Sequence, residues 1–330
     1  MVSRTTTACD VSGRQEVRFQ VDTESCAGWW YPARGPGLHP AIVMAHGFGA
    51  TRELGLDAFA RRFHQAGISV LVFDYRHYGG SSGYPRELLS IRRQLADFRA
   101  AIAFARTLPN VDPSRICIWG SSFGGGHVMT LAAEELGIRA AISQVPFSSG
   151  LASALRIPWL TALRIFLAGL VDLVRGVLGR SPAYIPLIGH PGQLAMMSAP
   201  DSKSGYQKLV SPEVEASGRW QNRVSARIGL TIPFYAPGLR LAKARVPVLV
   251  AVAEQDSIAP ATATVRAALR SRNVQLVCYP LGHFDYYTDA GFERIVADER
   301  EFLLRNLTSG PSRANVGVER TGQERWHSSS

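Results

Sequence analysis

Six short, almost uninterrupted apolar runs constrain this chain more than any other feature. They are Ala41–Ala45 (AIVMA), Ser69–Phe73 (SVLVF), Arg115–Trp119 (RICIW), Ala140–Val145 (AAISQV), Val246–Ala253 (VPVLVAVA) and Val274–Tyr279 (VQLVCY). A strand that is apolar at consecutive positions needs cover on both faces, which is the signature of a parallel sheet between helices. The intervening stretches supply those helices. Leu56, Phe59 and Phe63 repeat at three and four before Gly67, and Leu88, Ile91, Leu95, Phe98 and Ile102 repeat at three and four again. Helices are further expected over Phe123–Glu135, Ala261–Leu269 and Ala290–Leu307. At the start, Glu16–Val21 alternates and pairs with Cys26–Tyr31 as an opening hairpin. The expected class is α/β: a mostly parallel central sheet with helices on both faces.

The rhythm fails once. Pro146–Leu241 holds no clean buried strand and is cut by Pro182, Pro186 and Pro191. An insertion of this length between two strands reads as a mainly helical cap or lid. The expected organisation is therefore a core at 1–145 and 242–307, a cap at 146–241 and a polar, disordered tail at 308–330.

Composition excludes several classes. With 46% hydrophobic and 19% charged residues, the 330-residue chain is not disordered throughout. No uncharged apolar run reaches membrane-spanning length, and the nearest, 159–178, is broken by Arg164, Asp172 and Arg175. Net charge is +10, carried by 33 Arg against 3 Lys, without a basic cluster attached to a binding motif. No nucleic-acid partner is expected. Residues 151–240 hold ten basic and four acidic side chains, either a solvated cationic face or a means of steering an anionic partner. Cys9, Cys26, Cys117 and Cys278 form no CxxC pair, so neither a zinc site nor a redox motif is expected. Met1–Asp10 has one Arg and no apolar core, which gives the expectation of a cytoplasmic location.

Chemistry concentrates at Gly120-Ser121-Ser122-Phe123-Gly124, a G-x-S-x-G placed after an expected strand and before an expected helix. A sharp strand–turn–helix lifts the central side chain out of the backbone, and the flanking glycines avoid the clash. The helix N-terminus sets N–H groups beside the hydroxyl. Ser122 is the candidate nucleophile, Ser121 its neighbour. A serine needs a base to take its proton. Asp256 and His283 follow two later strands, in the order Ser, Asp, His, and loops at the carboxyl ends of parallel strands converge. His283 is then the general base and Asp256 its orienting acid, with Glu254 as runner-up and Asp285 weaker. His46-Gly47-Phe48-Gly49 follows the third strand and suits an oxyanion loop, Phe48 N–H and Phe123 N–H being the donor pair. His46 is expected to brace that loop and His127 to be packed. No G-x-G-x-x-G follows a strand and no H-E-x-x-H occurs, so no cofactor or metal is expected.

These blocks resemble the α/β-hydrolase superfamily over about residues 15–145 and 242–307: Ala45–Gly49, Phe73–Arg76, Trp119–Gly125, Glu254–Asp256 and Gly282-His283. Within it, the chain is similar to bacterial hydrolases grouped with serine aminopeptidase, X-Pro dipeptidyl-peptidase-like and acetyl xylan esterase-like proteins, and to fungal polyketide transferases. Those relatives often carry Cys as nucleophile and Arg-Gly-x-Gly-x-Ser after the fourth strand. Here Ser122 and Arg76-His77-Tyr78-Gly79-Gly80-Ser81 stand instead, so His77 or Tyr78 either reaches the site mouth or serves the loop. Siblings with an elbow aspartate, the epoxide hydrolases and haloalkane dehalogenases, are excluded by Ser122.

The resemblance implies a serine hydrolase acting on an ester or thioester of a small-molecule acyl substrate. An acyltransferase or polyketide-releasing enzyme with the same triad is the alternative, an aminopeptidase or amidase the lesser one. A binding protein with an inert triad is a third class. Trp159–Leu178 is apolar over most of its circumference and reads as the roof of an acyl pocket or, if exposed, as a surface for a membrane or a carrier protein. A homodimer stays open without support.

Overall fold

The computed structural model describes residues 13–308 and 318–320. The hairpin opens the chain as β1 (Gln15–Val21) and β2 (Glu24–Tyr31). Then come β3 (His39–Ala45), α1 (Leu56–Gln65), β4 (Ser69–Phe73), α2 (Ile91–Ala105), β5 (Val111–Ser121), α3 (Phe123–Leu131) and β6 (Ala140–Gln144). The sheet order is β1-β2-β4-β3-β5-β6 and onward to three later strands; β1, β2 and β4 pair antiparallel, the rest parallel.

Residue alternation explains how both faces are filled. In β3, Ala41, Val43 and Ala45 face a layer built with Phe98, Ile102, Phe123 and Leu131. Ile42 and Met44 face the opposite layer, with Phe59, Phe63, Ile295 and Phe302. Every residue of β4 and β6 is buried, as continuous apolar runs demand. By contrast β1, at the sheet edge, buries only Val17, Phe19 and Val21. Helix α2 begins with Ser90 as N-cap, so Leu88 lies outside the helix rather than on its face. Its buried side includes two polar residues, Gln94 and Asp97.

Between β6 and the next core strand, the chain forms α4 (Gly150–Ala154), α5 (Trp159–Val177), the two-residue strand β7 (Tyr184–Ile185), α6 (Ser202–Leu209), α7 (Pro212–Ala216), β8 (Val224–Ser225), α8 (Ile228–Thr231) and α9 (Pro237–Leu241). β7 and β8 pair antiparallel. The last of these, α9, packs against α3 and the following helix α10, so the insertion's final turn already lies on the core. The sheet resumes with β9 (Val248–Ala253), α10 (Ala261–Ala268), β10 (Val274–Tyr279) and α11 (Asp289–Thr308). A three-residue strand, β11 (Val318–Arg320), pairs parallel with β10. The remainder of the expected tail, and Cys9, lie outside the described residues. Among those residues no helix is long and apolar enough to cross a membrane. Cys26 and Cys117 are buried free thiols, and Cys278 is buried as well.

The crossover that matters is at β3. The chain leaves β3 toward β4 on one side, and β5 then pairs on the other. Two loops therefore diverge at the carboxyl ends of β3 and β5, which is where an open α/β sheet makes a crevice. They are His46–Gly49 and the turn at Ser122.

Candidate active site

Ser122 sits between β5 and α3 with φ 55 and ψ −116. A positive φ is strained for a residue with a Cβ and needs surrounding structure to hold it. Two glycines permit the turn. A Cβ on Gly120 would lie 2.3 Å from the Gly124 oxygen, and one on Gly124 would lie 2.6 Å from the His46 oxygen. The Ser122 N–H donates to the Gln144 carbonyl at 2.9 Å, pinning the turn to β6.

Three expected residues meet here. The Ser122 Oγ is 3.1 Å from His283 Nε2, and His283 Nδ1 is 2.7 Å from Asp256 Oδ2. The other Asp256 oxygen accepts from the N–H groups of Ile258 and Ala259 at 2.8 and 2.7 Å. The carboxylate is thus held by the turn after β9, and it fixes the imidazole with a proton on Nδ1. Nε2 then faces Ser122 as an acceptor. Burial disfavours the imidazolium. The Asp256 charge and hydrogen bond, with Asp201 beyond, outweigh burial and raise the His283 pKa above the ordinary value. The runner-up acids stand elsewhere: Glu254 is exposed, and Asp285 accepts from the Gly282 N–H at 2.8 Å.

The loop after β3 faces this group. Among the described residues neither the Phe48 N–H nor the Phe123 N–H has an acceptor. Phe123 is the first residue of α3, where amides lack intrahelical partners. Gly47 lies against Ser122, its Cβ direction 3.0 Å from the serine Cβ. His46 is buried beneath: its Nδ1–H donates to the Gly47 carbonyl at 3.0 Å and its Nε2 accepts from the Tyr75 N–H at 3.5 Å. Burial lowers its pKa, so it braces the loop as a neutral ring. His127 is likewise packed, between Gln94 and Tyr235, and burial pushes it down to about 3. His77 bonds the Pro85 carbonyl and Arg93, and Tyr78 is buried; neither lines the cavity at Ser122, which leaves both a loop role.

That cavity has a volume of about 500 Å³ and runs from Ser122 under the inserted helices. Phe48, Phe147, Ile165, Met197 and Ile232 give it an apolar wall. Among the described residues Arg156 is the only charged one lining it; its guanidinium donates to the Asp256 carbonyl at 2.9 Å. A second recess, about 30 Å³, also adjoins Ser122 and is lined by His283, Gly47 and Tyr206.

Several of these residues carried no sequence signal. The Tyr206 hydroxyl donates to the Phe48 carbonyl at 3.0 Å, and Trp220 donates to the Gly49 carbonyl at 3.1 Å. The two rings stack at 5.6 Å. They brace the loop from the insertion, where no periodicity or motif marks them. Ser121 is buried and bonded to Tyr287 and Gln144, a supporting place rather than a reacting one. Among the described residues no group of His, Cys, Asp or Glu could hold a metal ion.

Comparison with known proteins agrees with this architecture. The chain is 42% identical over 290 residues to a quorum-quenching protein, AidA, of Acinetobacter baumannii, covering 88% of this chain and 94% of that one. It is 26% identical over 303 residues to a thiohydrolase of Eupenicillium brefeldianum, covering 90% and 95%. Among solved structures it superposes on the α/β hydrolase GrgF of Penicillium with a TM-score of 0.73 at 22% identity, covering 90% of this chain and 99% of that one. The family described as serine aminopeptidase, S33, matches residues 38–286. The chain belongs to that family and, with it, to the α/β hydrolases.

Proposed function

We propose that the protein is a serine hydrolase that cleaves an ester or thioester of an apolar acyl group through an acyl-enzyme. The observation that carries this reading is the hydrogen-bonded series Ser122, His283, Asp256 at the mouth of an apolar cavity. In this mechanism Ser122 Oγ attacks the acyl carbon while His283 Nε2 takes the hydroxyl proton. Asp256 holds the tautomer and stabilises the imidazolium. The Phe48 and Phe123 N–H groups receive the oxyanion. The tetrahedral species collapses as His283 returns the proton to the leaving alcohol or thiol. Water, deprotonated by His283, then attacks the acyl-enzyme, and collapse releases the acid and restores Ser122.

A cavity of about 500 Å³ is in the range of small-molecule sites, and its wall suits a hydrocarbon chain. The inserted segment would act as the lid over it. The names of two relatives, a thiohydrolase and a quorum-quenching protein, are compatible with an acyl substrate. Other relatives are named polyketide transferases, the reading in which a larger acceptor replaces water. An aminopeptidase would need a carboxylate to hold the substrate ammonium. Among the described residues none lines the cavity, and Arg156 would repel that charge.

The test is labelling with a fluorophosphonate and readout by intact mass. One adduct is expected on the wild type and none on Ser122→Ala. The same substitution should lower kcat for p-nitrophenyl esters and acyl thioesters by about a million-fold, as for other triad nucleophiles. Activity that survives the substitution would remove Ser122 from the mechanism.

A further inference from the structure

Helix α5 presents its faces the wrong way round for a helix of a free-standing soluble protein. Its buried residues are Thr161, Ile165, Gly169 and Asp172. Trp159, Leu163, Phe166, Leu167, Leu170 and Val174 are exposed, Trp159 to 72%. At about 100° per residue these exposed apolar positions span an arc of about 100°, widened to about 160° by the exposed Val171 and Leu173. Further apolar side chains of the insertion are exposed: Leu151 in α4, Leu155 just after it, and Phe234, 85% exposed, in the 3₁₀ turn packed against α4. An exposed apolar face of this extent along one helix marks an interaction site.

The charges beside it name the occupant. Residues 151–180 contain Arg156, Arg164, Arg175 and Arg180, and one acid, Asp172. That acid is buried and bonded to Arg227, so the exposed charges of this stretch are all cations. Arg164 and Arg175 fall along one border of the apolar arc, where long basic side chains can reach headgroups. We infer that α4 and α5 dock this protein in the plane of an anionic lipid surface. The helix lies on that surface, consistent with the absence of a spanning helix among the described residues. Residues of the same two helices, Ala154 and Ala162 among them, line the apolar cavity, so the docking face and the cavity share their walls. The docking itself does not depend on what Ser122 attacks.

Two other occupants fit less well. An isologous pair of α5 helices would bring the same cationic patch against itself without an acid to offset it. The segments of this chain outside the described residues offer Met1, Val2, Val11, Val316 and Trp326 as their apolar side chains beyond alanine, cysteine and proline. That is too little to cover the patch.

The experiment is flotation of full-length Ser122→Ala protein with phosphatidylcholine vesicles, with and without phosphatidylglycerol. Strong flotation is expected only with the anionic lipid, and it should weaken as salt rises. The double variant Leu163→Ser/Leu167→Ser should lose about tenfold or more in partitioning. Arg164→Glu/Arg175→Glu should lose about as much. Leu163, Leu167 and Arg164 are exposed, and Arg175 is half-buried with its Nε on the Ser181 carbonyl; circular dichroism should show both double variants folded. In a wild-type background the leucine variant should keep its kcat/KM on a soluble short-chain ester, which separates failure of docking from failure of the hydrolase reading. No flotation, or equal flotation with both lipids, would overturn the inference. So would a dimer in lipid-free buffer that the leucine substitutions dissociate, since the patch would then belong to a second copy.

Discussion

Ser122 holds a backbone geometry that costs about 1–3 kcal/mol, and it can do so because Gly120 and Gly124 leave room and Gln144 holds its amide. His283 shows a similar opposition of forces. Burial favours its neutral form, and the Asp256 charge and hydrogen bond more than offset that. The sign has a kinetic consequence. A base must be neutral to accept the serine proton, so a raised pKa shifts the rising limb of the pH–rate profile to higher pH. The kcat/KM of the wild type should rise through a midpoint above about 6.5, the ordinary histidine value. In Asp256→Asn that midpoint should fall, and kcat should drop about 10⁴-fold. A midpoint unmoved by the substitution would show that another group titrates. The residues in this series were legible one by one, because elbow, acid and histidine each follow an apolar run. The braces were not. Tyr206 and Trp220 reach the Phe48 loop from more than 150 positions away through contacts no spacing encodes.

At the level of elements, α5 shows why an apolar stretch does not declare its own orientation. Of the two readings open for Trp159–Leu178, the helix partly satisfies both: Ile165 reaches the cavity, while most of its large side chains face outward. What turns the helix is Asp172. Its carboxylate accepts two bonds from the Arg227 guanidinium, and the N–H groups of Ala183 and Arg227 at 2.8 and 2.9 Å. Burial alone would raise its pKa, but the Arg227 bonds hold it below the usual carboxylate range. Asp172→Ala would leave those donors unpaired and should cost about 3 kcal/mol of stability, read as the shift of a urea melt. A variant as stable as wild type would show that apolar packing, not this pair, seats α5. The same principle explains α2, where Gln94 and Asp97 are buried because His127 and Arg76 lie opposite them. Periodicity placed an apolar face there and had no means of expecting polar partners.

Across the whole molecule, the sheet is sealed by two layers, and the one on the α11 side contains a polar group whose cost shows in pH dependence. On the α11 side Glu299 is fully buried, one oxygen accepting from Trp119 Nε1 at 3.0 Å and the other without a partner. Burial raises its pKa well above the carboxylate range. The unfolded chain ionises this group at an ordinary pKa, so folding takes up a proton. Stability is therefore full below about pH 4.3 and falls as pH rises from there toward the folded value. Glu299→Gln keeps the acceptor for Trp119 and removes the titration. It should raise the melting temperature at neutral pH and lose that advantage in acid. Equal melting shifts at both pH values would place the effect in packing instead. The sequence alone determined the parallel sheet, the order of its strands along the chain, and the turn that carries Ser122, because apolar periodicity and glycine sterics are local and survive in one dimension. Only the tertiary structure decided the crossover at β3, the wall of the cavity, the buried partners of Asp97, Asp172 and Glu299, and the outward face of α5. Each of these depends on which distant groups meet, and desolvation then sets whether a charge, a proton or an apolar side chain can remain there.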